Sequence, residues 1–334
     1  MQTHQLITMR MPAFAAFCLL VLTTIGYAQS PGRDNILVKS GQKVVFMGDS
    51  ITGMGWGDSG GYIHLVVAGL NSLDVKIVPI PSGVGGNTSI SMLARLKTDA
   101  LDKKPDWLLL SCGVNDVWGR RVSLDTFKKN ITSIVDQAQA AGIKVVLLTS
   151  TVIGEDLTND NNQKLVAYND FLHQLAKDRH LPIAEESDAM QAAIKASPPS
   201  SGNKFLLTVD GVHPNPDGHQ IMATALLQSI GATPAQIDSV KQAWLDLPSS
   251  AYVIGAISFR GMGPITIRQF NALKILADAK HLTIENFCHD LYFQALVESC
   301  AALQSGSAST GNIQGQVETQ TQAKFAEKIV ALTK

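Results

Sequence analysis

The chain has 334 residues, of which 45% are apolar and 16% are charged, and its formal net charge at pH 7 is −1. This composition is ordinary for a globular protein and excludes global disorder, and the length allows one sizeable α/β domain with an appendage. A net charge so close to zero gives no field to attract nucleic acid or an anionic membrane surface, so we expect neither as a partner.

The N-terminal residues have the pattern of a secretory signal. Arg10 precedes an apolar run from Met11 to Ile25, and small residues follow at Gly26 and Ala28, the two positions that a signal peptidase inspects. A membrane anchor is the alternative, but the run is shorter than the ~20 apolar residues that a bilayer crossing needs. We therefore expect residues 1–28 to be a cleaved signal peptide, the protein to be secreted or periplasmic, and no membrane span to follow.

Apolar runs rich in β-branched residues alternate with segments whose apolar residues recur at helical spacing. The predicted strands are Gln42 to Met47, Val75 to Ile80, Trp107 to Cys112, Ile143 to Leu148 and Leu181 to Ala184. Five alternations of strand and helix predict an α/β fold with a mostly parallel, doubly wound sheet. In such a sheet every loop that leads from a strand to a helix opens on the same edge, which is where open α/β sheets bind ligands.

Three of these loops carry residues suited to acyl chemistry. Ser50 follows the first predicted strand, Gly86 the second and Asn115 the third. A serine at this edge is a candidate nucleophile if a base can take its proton. The backbone N–H groups of Ser50 and Gly86, with the side-chain amide of Asn115, would supply three donors to an oxyanion.

A candidate base lies in the last loop before the final predicted helix of the domain. Asp210 and His213 are three positions apart in a loop stiffened by Pro214. At this spacing the carboxylate can accept from Nδ1–H of the imidazole, which leaves Nε2 free to take the proton of Ser50. Asp49, beside the serine, is then better interpreted as a residue that holds the loop.

The character of the sequence changes after Leu247. We expect residues 29–247 to form the α/β domain and residues 248–304 to form a mainly helical appendage for packing or dimerisation. A short strand is predicted from Pro264 to Ile267, followed by helices from Gln269 to Ala279 and from Thr283 to about Leu303. Residues 305–334 are rich in Gly, Ser, Thr and Gln, which predicts a flexible, linker-like tail with a short terminal helix.

The cysteines give no metal-binding pattern. Once the signal is removed, Cys112, Cys288 and Cys300 remain, without CxxC or paired-histidine spacing, so we expect no metal and no cofactor. Cys288 and Cys300 lie in one predicted helical region and could form a disulfide only if a bend separates them.

Four sequence blocks together resemble the SGNH (GDSL-type) hydrolase family over about residues 42–231. They are Gly48-Asp49-Ser50-Ile51-Thr52, Gly86, Gly113-x-Asn115-Asp116 and Asp210-x-x-His213. The resemblance implies a flavodoxin-like three-layer fold without a metal, with Ser50 as nucleophile, His213 as base and Asp210 as its orienting acid. It also implies an oxyanion hole from the Ser50 and Gly86 backbones and the Asn115 side chain. Thr52 stands where many members have leucine.

These features predict a secreted serine esterase that removes acetyl or other short acyl groups, by analogy often from carbohydrates. Asn87, Trp56 and Trp118 lie near the same edge and are candidate substrate-lining residues. Two alternatives stay open at this point: a lipase or phospholipase acting on longer acyl chains, and a carbohydrate or cell-wall binding protein without turnover. Homo-oligomerisation through the appendage is the expected interaction with other protein chains.

Overall fold

The computed structural model describes residues 33–119, 122–196, 205–249, 265–305 and 313–332. The expected signal peptide at residues 1–28 lies outside these ranges. Within them, no helix combines the length and the apolar composition that crossing a bilayer requires.

A single five-stranded sheet organises the first part of the chain. Its strands are β1 (Lys43–Gly48), β2 (Val78–Gly83), β3 (Trp107–Ser111), β4 (Lys144–Leu148) and β5 (Ile183–Ala184). They are ordered β2-β1-β3-β4-β5, and every neighbouring pair is parallel. The predicted α/β fold is therefore confirmed. The direction of winding reverses between β1 and β3, and this switch point is where doubly wound sheets bind their ligands.

Helices pack on the sheet in two groups. The helices up to the end of the α/β region are α1 (Ser50–Gly57), α2 (Tyr62–Ser72), α3 (Ser89–Asp99), α4 (Val114–Val117), α5 (Leu124–Ala140), α6 (Asp160–Arg179), α7 (Glu186–Ala196), α8 (Pro216–Ser229) and α9 (Pro234–Trp244). Helix α2 packs against α8 and α9, whereas α5 packs against α3 and α6. Every residue of β3 is buried, as expected for a central strand covered on both faces.

Strand β2 lies three residues further along the chain than predicted. The apolar run from Val75 to Ile80 predicted the strand, but β2 ends at Gly83 and includes Pro79 and Pro81. Proline has no N–H to donate to a ladder and is therefore tolerated in edge strands. Because β2 pairs with β1 alone in the described sheet, it can accept both prolines.

A second group of helices follows the α/β region: α10 (Ile267–Ala279), α11 (Ile284–Ser305) and α12 (Ile313–Leu332). They enclose a core separate from that of the sheet. Its buried residues are Leu273, Ala277, Phe287, Cys288, Leu291, Ala295, Phe325 and Ile329. A mainly helical C-terminal region is therefore present, as predicted.

Two details of this region were predicted wrongly. The strand expected up to Ile267 is not formed in its described part: Thr266 makes one isolated bridge to Pro248 and then caps α10 through a reciprocal pair of bonds with Gln269. The tail is not linker-like from Ile313 onward, since α12 is a 20-residue helix. Phe325 is fully buried in the second core, and this packing outweighs the polar composition of the tail.

The open question about the cysteines is answered by α11. Cys288 and Cys300 are both free and lie on this one helix, and Cys112 is a buried free thiol. Twelve positions along an α-helix correspond to about 18 Å, well beyond the separation that a disulfide spans.

Candidate active site

The candidate nucleophile is the first residue of the helix that follows β1. Ser50 begins α1, and its N-cap is Asp49. The turn requires glycine at the preceding position, because a Cβ on Gly48 would lie 2.0 Å from Thr52 Oγ1 and 3.2 Å from the carbonyl oxygen of Ser111. Ser50 is thus presented at the carboxyl end of β1, and its backbone N–H, in the first helical turn, has no acceptor within the helix.

The buried carboxylate beside the serine fastens two loops together. One oxygen of Asp49 accepts from Ile51 N at 2.9 Å, and the other accepts from Asn115 Nδ2 at 3.1 Å. Burial raises the pKa of Asp49 to about 6, although the hydrogen bond from Ile51 opposes the shift. These contacts fit the expectation that Asp49 holds the loop.

A chain of hydrogen bonds joins the serine to a histidine and an aspartate. Ser50 Oγ lies 2.9 Å from His213 Nε2, and His213 Nδ1 lies 2.7 Å from Asp210 Oδ2. The other oxygen of Asp210 accepts from the backbone N–H groups of Val212 at 3.0 Å and His213 at 2.8 Å. Desolvation raises the pKa of Asp210, but the hydrogen bonds from His213 and Val212 outweigh it and hold the pKa below the usual value. An ionised Asp210 can fix the tautomer in which His213 Nε2 takes the serine proton.

The loops after β2 and β3 bring two donor-bearing residues to the same edge. A Cβ on Gly85 would lie 4.0 Å from Ser50 Cβ, so the Gly85-Gly86 segment runs beside the serine. Gly86 has φ +71°, a conformation that favours glycine. Asn115, in α4, donates from Nδ2 to Asp49 and to the carbonyl oxygen of Asn87 at 3.2 Å. An oxyanion beside Ser50 would compete with that carbonyl for one amide hydrogen.

The acidic residue of the third block makes structural contacts. Asp116 is fully buried and accepts from Ser89 Oγ at 2.6 Å and from Ser89 N at 3.1 Å. Burial raises its pKa, although the bonds from Ser89 oppose this. Asp116 therefore ties α4 to the start of α3, and hence Asn115 to the loop that carries Gly86.

A family model described as "GDSL-like Lipase/Acylhydrolase family" matches residues 46–221, which is more than half of the chain. The protein belongs to the GDSL-like lipase/acylhydrolase family. This membership confirms the resemblance drawn from the four blocks, and it makes the protein a carboxylic ester hydrolase.

Relatives of this GDSL-like hydrolase include an acetylxylan esterase of Geobacillus stearothermophilus, 28% identical over 215 residues, or 58% of this chain and 96% of the relative. The crystal structure of Axe2, an acetylxylan esterase from the same organism, matches with a TM-score of 0.54 and 27% identity over 59% of this chain and 98% of that one. LAE5, an alpha/beta hydrolase enzyme from the metagenome of Lake Arreo in Spain, matches with a TM-score of 0.53 and 25% identity, covering 59% of this chain and 98% of its own.

The three candidate substrate-lining residues of this hydrolase differ in their surroundings. The side-chain oxygen of Asn87 accepts from Arg95 Nε at 2.7 Å, so this atom already has a partner within the protein. Trp56 is half-buried in α1 and stacks on His64 with 4.7 Å between ring centroids. Trp118, at the end of α4, is 50% exposed and is the freer aromatic surface of the two. A role for these residues in substrate binding stays a prediction.

Two charged residues that no sequence pattern singled out make dense contacts around the site. The guanidinium of Arg95, in α3, donates to Ser82 Oγ at 2.6 Å and to the carbonyl oxygens of Gly48 and Ser82 at 2.9 Å, besides Asn87. It joins the end of β1, just before the candidate nucleophile, to the end of β2 and the loop that carries Gly86. Glu155 makes the other such set of contacts, with the segment that leads to Asp210. An arginine or glutamate in a polar segment ordinarily indicates a solvated surface, so no pattern in the sequence distinguishes either residue.

Proposed function

We propose that the protein is a secreted or periplasmic serine esterase that hydrolyses acetyl and other short-chain acyl esters, including acetyl groups on carbohydrates. The observation that carries the proposal is the continuous hydrogen-bonded chain from Ser50 Oγ through His213 to Asp210 at the switch point of the sheet. The similarity to acetylxylan esterases supports the choice of acyl group and of carbohydrate. The apolar run near the N-terminus supports export.

The proposed reaction proceeds through an acyl-enzyme. Ser50 Oγ attacks the ester carbonyl carbon while His213 Nε2 takes its proton, and the tetrahedral oxyanion receives hydrogen bonds from Ser50 N, Gly86 N and Asn115 Nδ2. His213 then protonates the departing alcohol, leaving an acyl group on Ser50. Water, deprotonated by His213, attacks this ester, and collapse of the second tetrahedral intermediate releases the acid and restores the serine. Asp210 stays ionised and orients the imidazole throughout.

Catalytic-mutant structures of Axe2 support these assignments. In that enzyme the three catalytic variants replace a serine, an aspartate and a histidine, and the aspartate and histidine are three positions apart, as Asp210 and His213 are here.

The decisive substitution is Ser50→Ala. It should reduce hydrolysis of p-nitrophenyl acetate by several orders of magnitude, because the nucleophile is lost, while Ser59→Ala, which changes an exposed serine in the loop after α1, should leave the rate unchanged. Turnover by the Ser50 variant at the wild-type rate would refute the proposal.

The substrate class is tested by a series of p-nitrophenyl esters of increasing chain length, run beside acetylated xylan and acetylated pectin with acetate release measured. We expect kcat/KM to be highest for acetyl and to fall with chain length. A rise with chain length would instead identify a lipase or phospholipase. Absence of turnover together with failure of a fluorophosphonate to label Ser50 would identify a binding protein.

A further inference from the structure

The residues proposed as base and orienting acid lie at the tip of a closed turn rather than on a helix or strand. Thr208 and Pro214 form an isolated antiparallel bridge, and Val209 N donates to the carbonyl oxygen of His213 at 2.9 Å. Asp210 and His213 are therefore carried by a small loop between α7 and α8. The position of the imidazole relative to Ser50 depends on how firmly the base of this loop is held.

Glu155 holds the base of the loop. Its two carboxylate oxygens accept from three consecutive backbone N–H groups, those of Leu206 at 2.5 Å, Leu207 at 2.8 Å and Thr208 at 2.9 Å. They also accept from Thr208 Oγ1 at 2.8 Å. Successive N–H groups that converge in this way form a concave site for an anion, and here the anion is a side chain of the same protein.

The contacts extend from this base to the tip of the turn. Thr208 Oγ1, which donates to Glu155, accepts from Gly211 N at 3.2 Å. The carbonyl oxygen of Gly211 accepts from Gly154 N at 2.6 Å. Gly154 and Glu155, which are adjacent in the chain, are therefore both hydrogen-bonded to the loop. Gly211 directly follows Asp210.

The segment that carries Glu155 is itself fixed to the start of α6. Asn162 Nδ2 donates to the carbonyl oxygen of Gly154 at 3.0 Å, and Asn159 Nδ2 donates to that of Ile153 at 2.8 Å. Ile153 N donates in turn to Asn162 Oδ1 at 2.8 Å. The loop between β4 and α6, which carries Glu155, is thus held by hydrogen bonds to residues at the start of α6.

We propose that Glu155 is a positioning residue that sets the placement of the Asp210 and His213 pair against Ser50. This inference rests on the proposed function, since it assigns Glu155 a part in that same reaction. Glu155 does not touch the ester: its oxygens are occupied by the 206–208 segment, and it acts through the loop. A displacement of about 1 Å at a catalytic group can lower a rate on the order of 100-fold, so a carboxylate that binds three consecutive residues at the base of the loop lies at a sensitive point.

The principal variant is Glu155→Gln, which keeps the shape of the side chain but places an NH₂ group against the N–H of Leu206. We expect kcat for p-nitrophenyl acetate to fall on the order of 10–100-fold with KM changed less than about 2-fold, because binding of the ester is untouched. Thr208→Val, which removes the hydroxyl that links Glu155 to Gly211, should lower kcat in the same manner. The double variant should lose less than the product of the two single losses, because both changes break one connection.

Asp156→Asn is the matched control. Asp156 adjoins Glu155, but its side-chain carboxylate accepts from Thr158 within its own loop, at 2.9 Å from N and 2.6 Å from Oγ1. The backbone carbonyl of Asp156, which accepts from Asn159 and Asn162, is unchanged by the substitution. The kcat and KM of this variant should equal those of the wild type. A variant that merely weakens the fold is distinguished by a second measurement, the deshielded Nδ1–H proton of His213 in its hydrogen bond with Asp210, observed by NMR. We expect this resonance in the wild type and in Asp156→Asn, and its loss or marked shift in Glu155→Gln and Thr208→Val.

A wild-type kcat in Glu155→Gln, or a lowered kcat with an unchanged Nδ1–H resonance, would overturn the inference. If Glu155→Gln does not fold, Thr208→Val decides by the same two measurements. Failure of the proposed function has a different signature, equal turnover by wild type and Ser50→Ala, and in that case the resonance alone still decides whether Glu155 positions the histidine.

Discussion

At the scale of single residues, the site places a carboxylate where water does not reach it. Asp49 is 2% exposed and its pKa is raised to about 6, yet its oxygens must accept hydrogen bonds from Ile51 and Asn115 to fasten the two loops. The ionised form suits those donors, whereas burial favours the neutral form. At neutral pH the ionised, buried Asp49 therefore lowers the stability of the fold, while it orients the Asn115 amide.

This conflict predicts a pH dependence of stability. Because the folded-state pKa of Asp49 lies above its usual value of 3.8, its contribution to stability is complete below about pH 4 and is lost as pH rises through about 6. The loss amounts to about 3 kcal/mol for a shift of roughly two units at about 1.4 kcal/mol each. Denaturant titrations of wild type and Asp49→Asn between pH 3.5 and 7 should thus show the free energy of unfolding of the wild type falling relative to the variant.

The control for this measurement is Asp102→Asn, which changes an exposed aspartate paired with Lys97 on the surface. An exposed ion pair contributes about 0–1 kcal/mol, so the difference between this variant and the wild type should change by less than that over the same pH interval. An equally small change for Asp49→Asn would mean that the buried carboxylate is not the source of the pH dependence.

At the scale of elements, α3 connects β1, which precedes the proposed nucleophile, with the loop that carries Gly86. Arg95 reaches from α3 to the carbonyl oxygen of Gly48 at the end of β1, to Ser82 near the end of β2 and to Asn87 in the loop after β2. Its side chain is only 14% exposed, and it also pairs with Asp99 at 2.9 Å. A planar guanidinium with several donors is needed to reach these acceptors at once, and an ammonium cannot replace it.

We therefore expect Arg95→Lys to lower kcat for p-nitrophenyl acetate on the order of 10-fold and to reduce stability by about 1–3 kcal/mol, since it leaves buried acceptors without donors. Lys97→Arg, at an exposed position of the same helix, is the matched control and should be neutral. An Arg95→Lys variant with wild-type kcat would indicate that the two loops keep their geometry without this connection.

The elements also delimit what sequence reasoning could establish. The parallel α/β sheet and the residues brought to one edge followed from alternation and strand ends, because they depend on local pattern and on the geometry of parallel sheets. Arg95 and Glu155 could not be found in this way. Arg95 bonds to Gly48, 47 positions away, and Glu155 to Leu206, about 50 positions away, and such long-range hydrogen bonds produce no periodic pattern in the sequence. Helix α7, from Glu186 to Ala196, was likewise not predicted, and Glu186 itself is fully buried there with its pKa well above the usual value through desolvation.

At the scale of the whole molecule, the described residues contain two hydrophobic cores. The larger core surrounds the sheet and includes Phe127, whereas the smaller one lies among α10, α11 and α12 and includes Phe325. Ion pairs from Lys274 to Asp217 and from Arg268 to Asp246 connect α10 to the α/β region. The tail was predicted to be a linker because its polar residues conceal the few apolar ones that pack, which is a tertiary effect that composition cannot show.

Separate cores predict that the C-terminal helices can be destabilised without loss of esterase activity. Phe325→Ala removes a fully buried ring that packs edge-on against Tyr292, with 5.6 Å between centroids, and should cost about 3–5 kcal/mol in the smaller core. Phe127→Ala is the matched substitution in the larger core, where the ring is equally buried and packs 4.8 Å from Tyr168. We expect Phe325→Ala to lower the thermal stability and helical circular dichroism of the protein while kcat and KM for p-nitrophenyl acetate at 25 °C stay at wild-type values.

Phe127→Ala should reduce both stability and kcat, because the ring lies near Gly113 and the loop that carries Asn115. Equal losses of kcat in the two variants would show instead that α10 to α12 support the catalytic edge, and the appendage would then have to be counted as part of the esterase domain.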